Sequence, residues 1–329
     1  MKKTLWFSTI LLLALVFATG SAGVSFAQGP KYPSKPIKMI VPFGAGGGTD
    51  TMVRAYQKFI DLGGQPMVVV NIAGGAGSIG VMETYYAKPD GYTVVCSGWQ
   101  SMLSYYVSNY VKVPVAEEMI PIATTISDPD VIAVSKNAPF KNLDALIAYA
   151  KANPEKLKWG SVGAVGSNYA ASMLVWEALG IKVTYVPFDS AAKSRSALLG
   201  GHIDVLLCQV SELNPVAQSG DALPLLVTTK KRSEFLPKCP SMGDIGSKVD
   251  FTLYRGFWAP ANTPQPAIAY LEKAIKKVHE NPEFRKFITN DLKYTLMFAG
   301  SKETREILNR EAPELTKLYK EALKNKAQK

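Results

Sequence analysis

The sequence predicts an α/β protein of two lobes, each a mostly parallel sheet flanked by helices, joined by a hinge of two chain crossings. Three observations predict it. From residue 35 onward, short β-rich runs alternate with helical patterns, as in a doubly wound sheet. The alternation halts near Pro121 and then restarts, and the last part of the chain supplies helices without a sheet of their own to cover.

In order, residues 37–42 read as a strand, 51–61 as a helix, 67–70 as a strand, 81–87 as a helix and 92–96 as a third strand. Past Pro121 come a strand at 131–135, a helix over 143–152 that stops before Pro154, and a strand at 158–161. A helix over 169–179, a strand at 183–187, a helix at 191–199 and strands at 203–207 and 223–228 complete the second unit. Residues 252–260 are extended, and helical patterns follow at 266–280, 282–290 and 302–324. The first unit has three strands and few helices, so the chain is expected to return to it after about residue 250. Lobe 1 is then 28–128 plus 254–329, and lobe 2 is 129–253. Two crossings above a central cleft suit a protein that closes on a ligand.

Composition bounds the class. With 47% hydrophobic and 19% charged residues in 329, the chain is an ordinary globular one, neither disordered nor a polytopic membrane protein. Lys and Arg exceed Asp and Glu by 37 to 27, a formal charge of +10. The excess is spread along the chain, and its one dense stretch, residues 324–329, reads as a solvated terminus. No nucleic-acid partner is expected. A mildly basic body favours small anionic ligands instead.

Residues 1–27 read as a secretory signal peptide: Lys2 and Lys3, an apolar run from Leu5 to Ala18, then small residues ending at Ala27. The run is shorter than the ~20 residues of a membrane span. Cleavage before Gln28 would release a soluble periplasmic protein. Cys96, Cys208 and Cys239 allow at most one internal disulfide, and Cys96 and Cys208 sit in apolar runs as buried thiols would.

Three loops share one plan, a strand, a glycine-rich turn and a helix: residues 42–50, 71–80 and 160–168. In an open parallel sheet such loops lie beyond the carboxyl ends of the strands, where ligands bind. Glycine lets successive N–H groups point into one pocket, and the helix start adds partial positive charge. None of the three carries Lys or Arg between its glycines. That points to an anion, such as a carboxylate, held by backbone and water. Pro42, Phe43, Ala45, Gly46, Gly47, Thr49 and Asp50 are the candidates in the first loop, and Ala73, Gly74, Ala76 and Gly77 in the second. Ser161, Ser167 and Asn168 are those of the third, with Trp99, Asp189, Ser190, Gln209 and Arg255 beside them. Asp50 reads first as the cap of a helix starting at Thr51, and Ser167 and Asn168 as caps with a second role facing the cleft.

Enzyme chemistry finds no pattern. Gly75, Gly77 and Gly80 match GxGxxG, but the next strand ends without the acid that would hold a ribose. There is no phosphate loop and no nucleophile elbow. His202 and His279 lie far apart, His202 in a turn, and no residue cluster suggests a metal. No catalytic residue, cofactor or metal is expected. A two-lobe cleft enzyme acting on a small anion is the alternative.

At the loops the sequence resembles a family. Residues 32–50, Asn71 with 75–77, and 89–93 are similar to the substrate-binding proteins of tripartite tricarboxylate transporters, the Bug or TctC family. Similarity continues at 154–161, 200–205, 230–233 and 257–266, covering nearly the whole mature chain. The resemblance implies a type II-like periplasmic binding protein that captures a small organic acid and delivers it to a two-component membrane permease. A monomer would be natural for such a carrier. It also implies that residues 42–50 and 71–77 grip one carboxylate through backbone N–H groups and water, while the second lobe selects the acid. There the sequence departs from the family: the familiar His after Gly166 and Ser167 is replaced within Asn168, Tyr169 and Ala170, and Phe188, Asp189 and Ser190 replace the usual Tyr-Lys-Gly. Arg255 stands where the family often has an aromatic residue. It reads as a surface or interlobe ion pair, or as a bidentate clamp for a second carboxylate. Trp99, Phe188 and Tyr169 are candidate aromatic walls. A ligand-presenting sensor remains an alternative to a transporter component.

Overall fold

The structure, a computed structural model, describes residues 32–327. The expected signal peptide, residues 1–27, lies outside them. The chain divides into two units, Met1–Ser34 and Lys35–Lys329, and the fold is that of the second.

Strand β1 (Ile37–Val41) lies parallel between β2 (Met67–Asn71) and β3 (Thr93–Ser97). Helices α1 (Gly48–Phe59), α2 (Ser78–Tyr85), α3 (Trp99–Val107) and the single turn α4 (Val115–Glu118) intervene. The chain then enters β4 (Ile120–Ser135), a 16-residue strand. Next come α5 (Leu143–Ala152), β5 (Lys158–Val162), α6 (Ser167–Leu179), β6 (Thr184–Phe188), α7 (Ala191–Leu199) and β7 (Val205–Gln209). Helix α8 (Val210–Gln218) and β8 (Ala222–Val227) precede β9 (Thr252–Ala259), which returns the chain to the first strands. Helices α9 (Gln265–Glu280) and α10 (Pro282–Lys286), strand β10 (Thr295–Gly300) and helix α11 (Ser301–Ala327) finish it.

The ten strands of the described residues form one sheet: eight follow the order β2-β1-β3-β9-β4-β7-β5-β6, and β8 and β10 pair with β4 off that path. The parallel pairs are β1 with β2 and β3, and β5 with β6 and β7. Every antiparallel pair involves β4 or β9. Both expected crossings are therefore strands. Residues 120–129 of β4 pair with β9, and residues 130–135 pair with β7 and β8, so one continuous strand links the two halves of the α/β fold. The expected strand at 131–135 is only its second half. Pro121 reads as a break, but β4 accommodates it beside a register shift, and Pro129 opposite Thr252.

Local chemistry explains the elements. In β7 every residue of Val-Leu-Leu-Cys-Gln is buried, as befits a strand covered on both faces. In α9 the buried positions Ile268, Leu271, Ile275 and Val278 recur at helical spacing, making one apolar face. Asn142 caps α5 by accepting from the Ala145 N–H, and Gly180, at φ 62°, ends α6 in the left-handed conformation. Helix α3 escaped the sequence reading because residues 99–105 are all buried, so it has no polar face to give a period. Helix α8 contains Pro215 and reads as loop; a capping box between Gln209 and Glu212 starts it. Strand β10 lies between the expected helices at 282–290 and 302–324, where no strand is read from the sequence.

All three cysteines are buried and free. Burial pushes the Cys96 and Cys239 thiols up to about 12, and Cys208 well above its ordinary value. Since the thiolate is the reactive form, a disulfide-exchange reagent should titrate three thiols in denaturant and none in the native protein on the same timescale. Rapid native labelling of any one of them would contradict this burial.

Candidate functional site

A cleft of about 450 Å³, open to solvent, collects the ends of five strands. After β1 it takes Phe43, Gly47, Gly48 and Thr49; after β3, Gly98 and Ser101; after β5, Ser167 and Asn168, with Val162 from the strand itself. Ser190 and Ala191 follow β6, Gln209 and Glu212 mark the start of α8, and Leu253 and Arg255 face it from β9. Both halves of the fold contribute. The position is the one expected for ligands in open parallel sheets.

The first loop is tied down by carboxylates. Asp50 is not a cap: α1 begins after Gly47, and Asp50 lies in its first turn. Its carboxylate accepts from the Gly46 N–H at 3.0 Å, Arg54 Nε at 3.0 Å and Asn71 Nδ2 at 2.9 Å. Burial alone would raise its pKa, but these donors outweigh burial and hold it below the ordinary value. Asn71 Nδ2 also donates to the Phe43 carbonyl, joining the first loop to β2. The Gly48 N–H donates at 3.0 Å to Glu212 Oε1 from the other half of the fold. Two amides of the expected anion nest are thus already satisfied by side chains of the protein. Gly48 has no room for a side chain, since a Cβ would lie 2.6 Å from Arg255 Nη2 and 2.7 Å from Glu212 Oε1.

Arg255 organises the floor. It is 2% exposed, which makes it a buried pair rather than a surface one. Nη1 binds Asp128, Nη2 donates to Gln209 Oε1 at 3.1 Å and Glu212 Oε1 at 3.2 Å, and Nε donates to Thr49 Oγ1 at 3.3 Å. Burial opposes its charge, but Asp128, Tyr294 and Glu212 outweigh burial and keep the guanidinium protonated. With each nitrogen engaged by a protein acceptor, the expected clamp for a second ligand carboxylate is not set. Burial raises the pKa of Glu212 and Asp128 against the pull of Arg255. Asp130 rises furthest: burial, then the charges of Asp128 and Glu212, push it well above its ordinary value. Gln209 Nε2 donates to Asp130 Oδ1, while Oδ2 is buried without a partner.

The third loop supplies neutral donors. Helix α6 is capped at Gly166 without a side-chain bond, so Ser167 and Asn168 are not caps. Ser167 Oγ lies 2.9 Å from Ser101 Oγ of α3 and donates at 3.3 Å to Asn168 Oδ1, so it accepts from Ser101. Asn168 Nδ2 is buried and has no hydrogen-bond partner, although its residue lines the cleft.

Of the residues expected at the site, Phe43, Gly47, Thr49, Ser167, Asn168, Ser190, Gln209 and Arg255 line the cleft. Pro42, Ala45, Gly46 and Asp50 of the first loop do not line it: Ala45 and Gly46 are exposed, and Pro42 and Asp50 are buried. The second loop, with Ala73, Gly74, Ala76 and Gly77, is a buttress: Tyr105 donates to the Ala76 carbonyl at 2.7 Å, and a Cβ on Gly163 would lie 2.7 Å from that of Ala76. Ser161 is buried and donates to the Leu207 carbonyl, and Asp189 is exposed and pairs with Lys193 at 2.8 Å. Trp99 is buried and stacked on Tyr254, and Tyr169 packs against Tyr185, so the aromatic face of the cleft is Phe43. Sequence reasoning missed Gly48, Gly98, Ser101, Glu212 and Leu253, and the acids Asp128 and Asp130 beneath them. The signal was there for the acids: Asp128 and Asp130 interrupt an apolar run, and unpaired acids are rarely buried.

Among the described residues no three or more His, Cys, Asp or Glu side chains form a group able to hold a metal ion. His202 is exposed, and His279 is buried beside Tyr56, where burial lowers its pKa to about 4.

The sequence profile of the tripartite tricarboxylate transporter family receptor matches residues 54–317. The protein BugT of Bordetella pertussis is 30% identical over 276 residues, which cover 82% of this chain and 84% of that one. A protein of Agrobacterium vitis from the TAR-I ttuE-ttuC' intergenic region is 30% identical over 82% of this chain and 79% of its own. Among solved structures, the periplasmic binding protein BugD is 27% identical with a TM-score of 0.81, over 88% of this chain and 98% of that one. MatC of Rhodopseudomonas palustris, solved with bound malate, shares the fold at 23% identity and a TM-score of 0.79, over 88% of this chain and 99% of its own.

Proposed function

The chain belongs to the tripartite tricarboxylate transporter receptor family, and we propose that it is an extracytoplasmic solute-binding protein for a small organic acid. The observation that carries this reading is the cleft itself: donors from both halves of the fold converge on it, and one of them, Asn168 Nδ2, is buried without a partner. A buried donor left unpaired is unfavourable by about 1–3 kcal/mol. A ligand oxygen would satisfy it. The malate of MatC is a ligand of this kind, bound by a protein of the same fold.

In this reading residues 1–27 direct export and are removed before Gln28, and the mature monomer works in the periplasm. Lobe 1, residues 28–128 plus 254–329, and lobe 2, residues 129–253, close over the acid by bending β4 and β9. The loaded protein then docks on the permease of a tripartite transporter. The reading needs no enzymatic step, and neither histidine nor any cysteine lines the cleft.

The test is thermal unfolding against mono-, di- and tricarboxylates, aromatic acids and amino acids. A ligand at ~100 times its Kd should stabilise the protein by about 2.7 kcal/mol. Asn168→Ala should bind the same acid about tenfold more weakly, the scale of one hydrogen bond to a charged group. A protein that no acid stabilises, and that releases none on unfolding as read by mass spectrometry, would refute the carrier reading.

A further inference from the structure

The charge inside the cleft is the reverse of what a dicarboxylate needs. Arg255 is the one cation among its lining residues, and Nε, Nη1 and Nη2 all bond to protein acceptors. Two carboxylates, Asp128 and Glu212, share that single guanidinium. Of the two, Glu212 lines the cleft. A ligand carboxylate placed next to it would meet a like charge in a partly desolvated site whose one lining cation is already engaged, Arg195 acting on Glu212 only from outside the lining.

Glu212 still has acceptor capacity. Its Oε1 receives Gly48 N–H and Arg255 Nη2, and its Oε2 receives the Gln209 N–H over a long 3.4 Å. A carboxylate offers about four acceptor sites, so one further donor can be seated. Across the cleft the polar groups are of the opposite kind: the unpartnered Asn168 amide and the hydroxyl of Ser190 can donate to a carboxylate, while Ser101 and Ser167 use their hydroxyl protons on Ser167 Oγ and Asn168 Oδ1. The cleft therefore has a donor side at the starts of α6 and α7 and an acceptor side at Glu212.

Resting on the carrier reading, we propose that Glu212 sets specificity: it selects an acid with one carboxylate and a protonated amine, an amino acid, and rejects dicarboxylates. The ligand carboxylate takes Asn168, and the ammonium takes Glu212. Glu212 thereby does two things, closing the Gly48 amide from the opposite half and charging the cleft.

The test is calorimetric titration of the purified protein with the twenty common amino acids, with succinate, malate and adipate, and with butyrate, which has one carboxylate and no amine. At least one amino acid should bind about tenfold or more tighter than every dicarboxylate and than butyrate, the scale of one charge-assisted hydrogen bond. Glu212→Gln keeps an oxygen for Gly48 but removes the charge, and should shrink that preference by about tenfold. A dicarboxylate that binds the unaltered protein as tightly as any amino acid overturns the assignment while the carrier reading stands. Binding of none of these acids overturns the assignment, and the carrier reading falls with it where the wider thermal panel and the mass spectrometry of released ligand are blank as well. The comparison within the unaltered protein decides even where the variant does not fold; an unchanged preference in a folded Glu212→Gln protein also overturns the assignment.

Discussion

Replacing Arg255 by methionine should lower the stability of the fold by about 3–5 kcal/mol, the range seen when one partner of a buried ion pair is removed. Methionine matches much of the volume, so the effect is electrostatic. Arg255 and Asp128 are 2% and 1% exposed, and Glu212 is 7% exposed. Without the guanidinium both carboxylates stay buried with no cation in direct contact. Asp128 keeps Ser211 Oγ at 2.6 Å, and Glu212 keeps the Gly48 N–H, neither of which carries charge. The loss should shrink at lower pH, where the two acids can take up protons. Arg255→Lys should recover only part of it, because one ammonium cannot reach Asp128, Gln209, Glu212 and Thr49 together. Urea unfolding at pH 7 and pH 5 checks both statements. A loss below about 1 kcal/mol at pH 7 would mean that the cluster is wetter and weaker than its burial implies.

The cluster also shows where sequence reasoning stops. The glycine loops were legible because a loop that joins a strand to a helix with positive-φ glycines has few alternatives, and Gly46, Gly77, Gly163 and Gly166 have such angles. Their location at strand ends followed from parallel pairing, which the alternation of strand and helix dictates. What those loops face was not legible. Asp128, Gln209, Glu212 and Arg255 come from three separate segments, and their convergence depends on β4 running unbroken past Pro129. A reader who sees Pro121 breaks the strand there and loses the floor of the cleft. The second loop does not line the cleft: its glycines permit close approach, and in the structure Tyr105 and Gly163 approach it. Glycine marks proximity without saying to what.

Asp130 should give the protein a pH dependence that one substitution removes. It is fully buried, one oxygen is held by Gln209 and the other has no partner, and Asp128 and Glu212 add like charge. Its native pKa is raised well above 3.8, so the folded protein keeps this proton at pH values where the unfolded chain has lost it. Stability from this group is complete below about 3.8 and falls as pH rises toward the native pKa, by up to about 1.4 kcal/mol per pH unit. Asp128 and Glu212 act in the same direction, whereas His279, with its pKa lowered to about 4, acts in the opposite one. The difference between the protein and its Asp130→Asn variant isolates Asp130. Asparagine keeps the acceptor for Gln209 and cannot ionise, so the two should be nearly equal in stability at pH 4, and the variant should pull ahead as pH rises. Urea midpoints from pH 4 to pH 8 measure it. Parallel curves would mean that Asp130 ionises in the folded state as readily as in water, and the cleft would then lie over two more negative charges than its one arginine can balance.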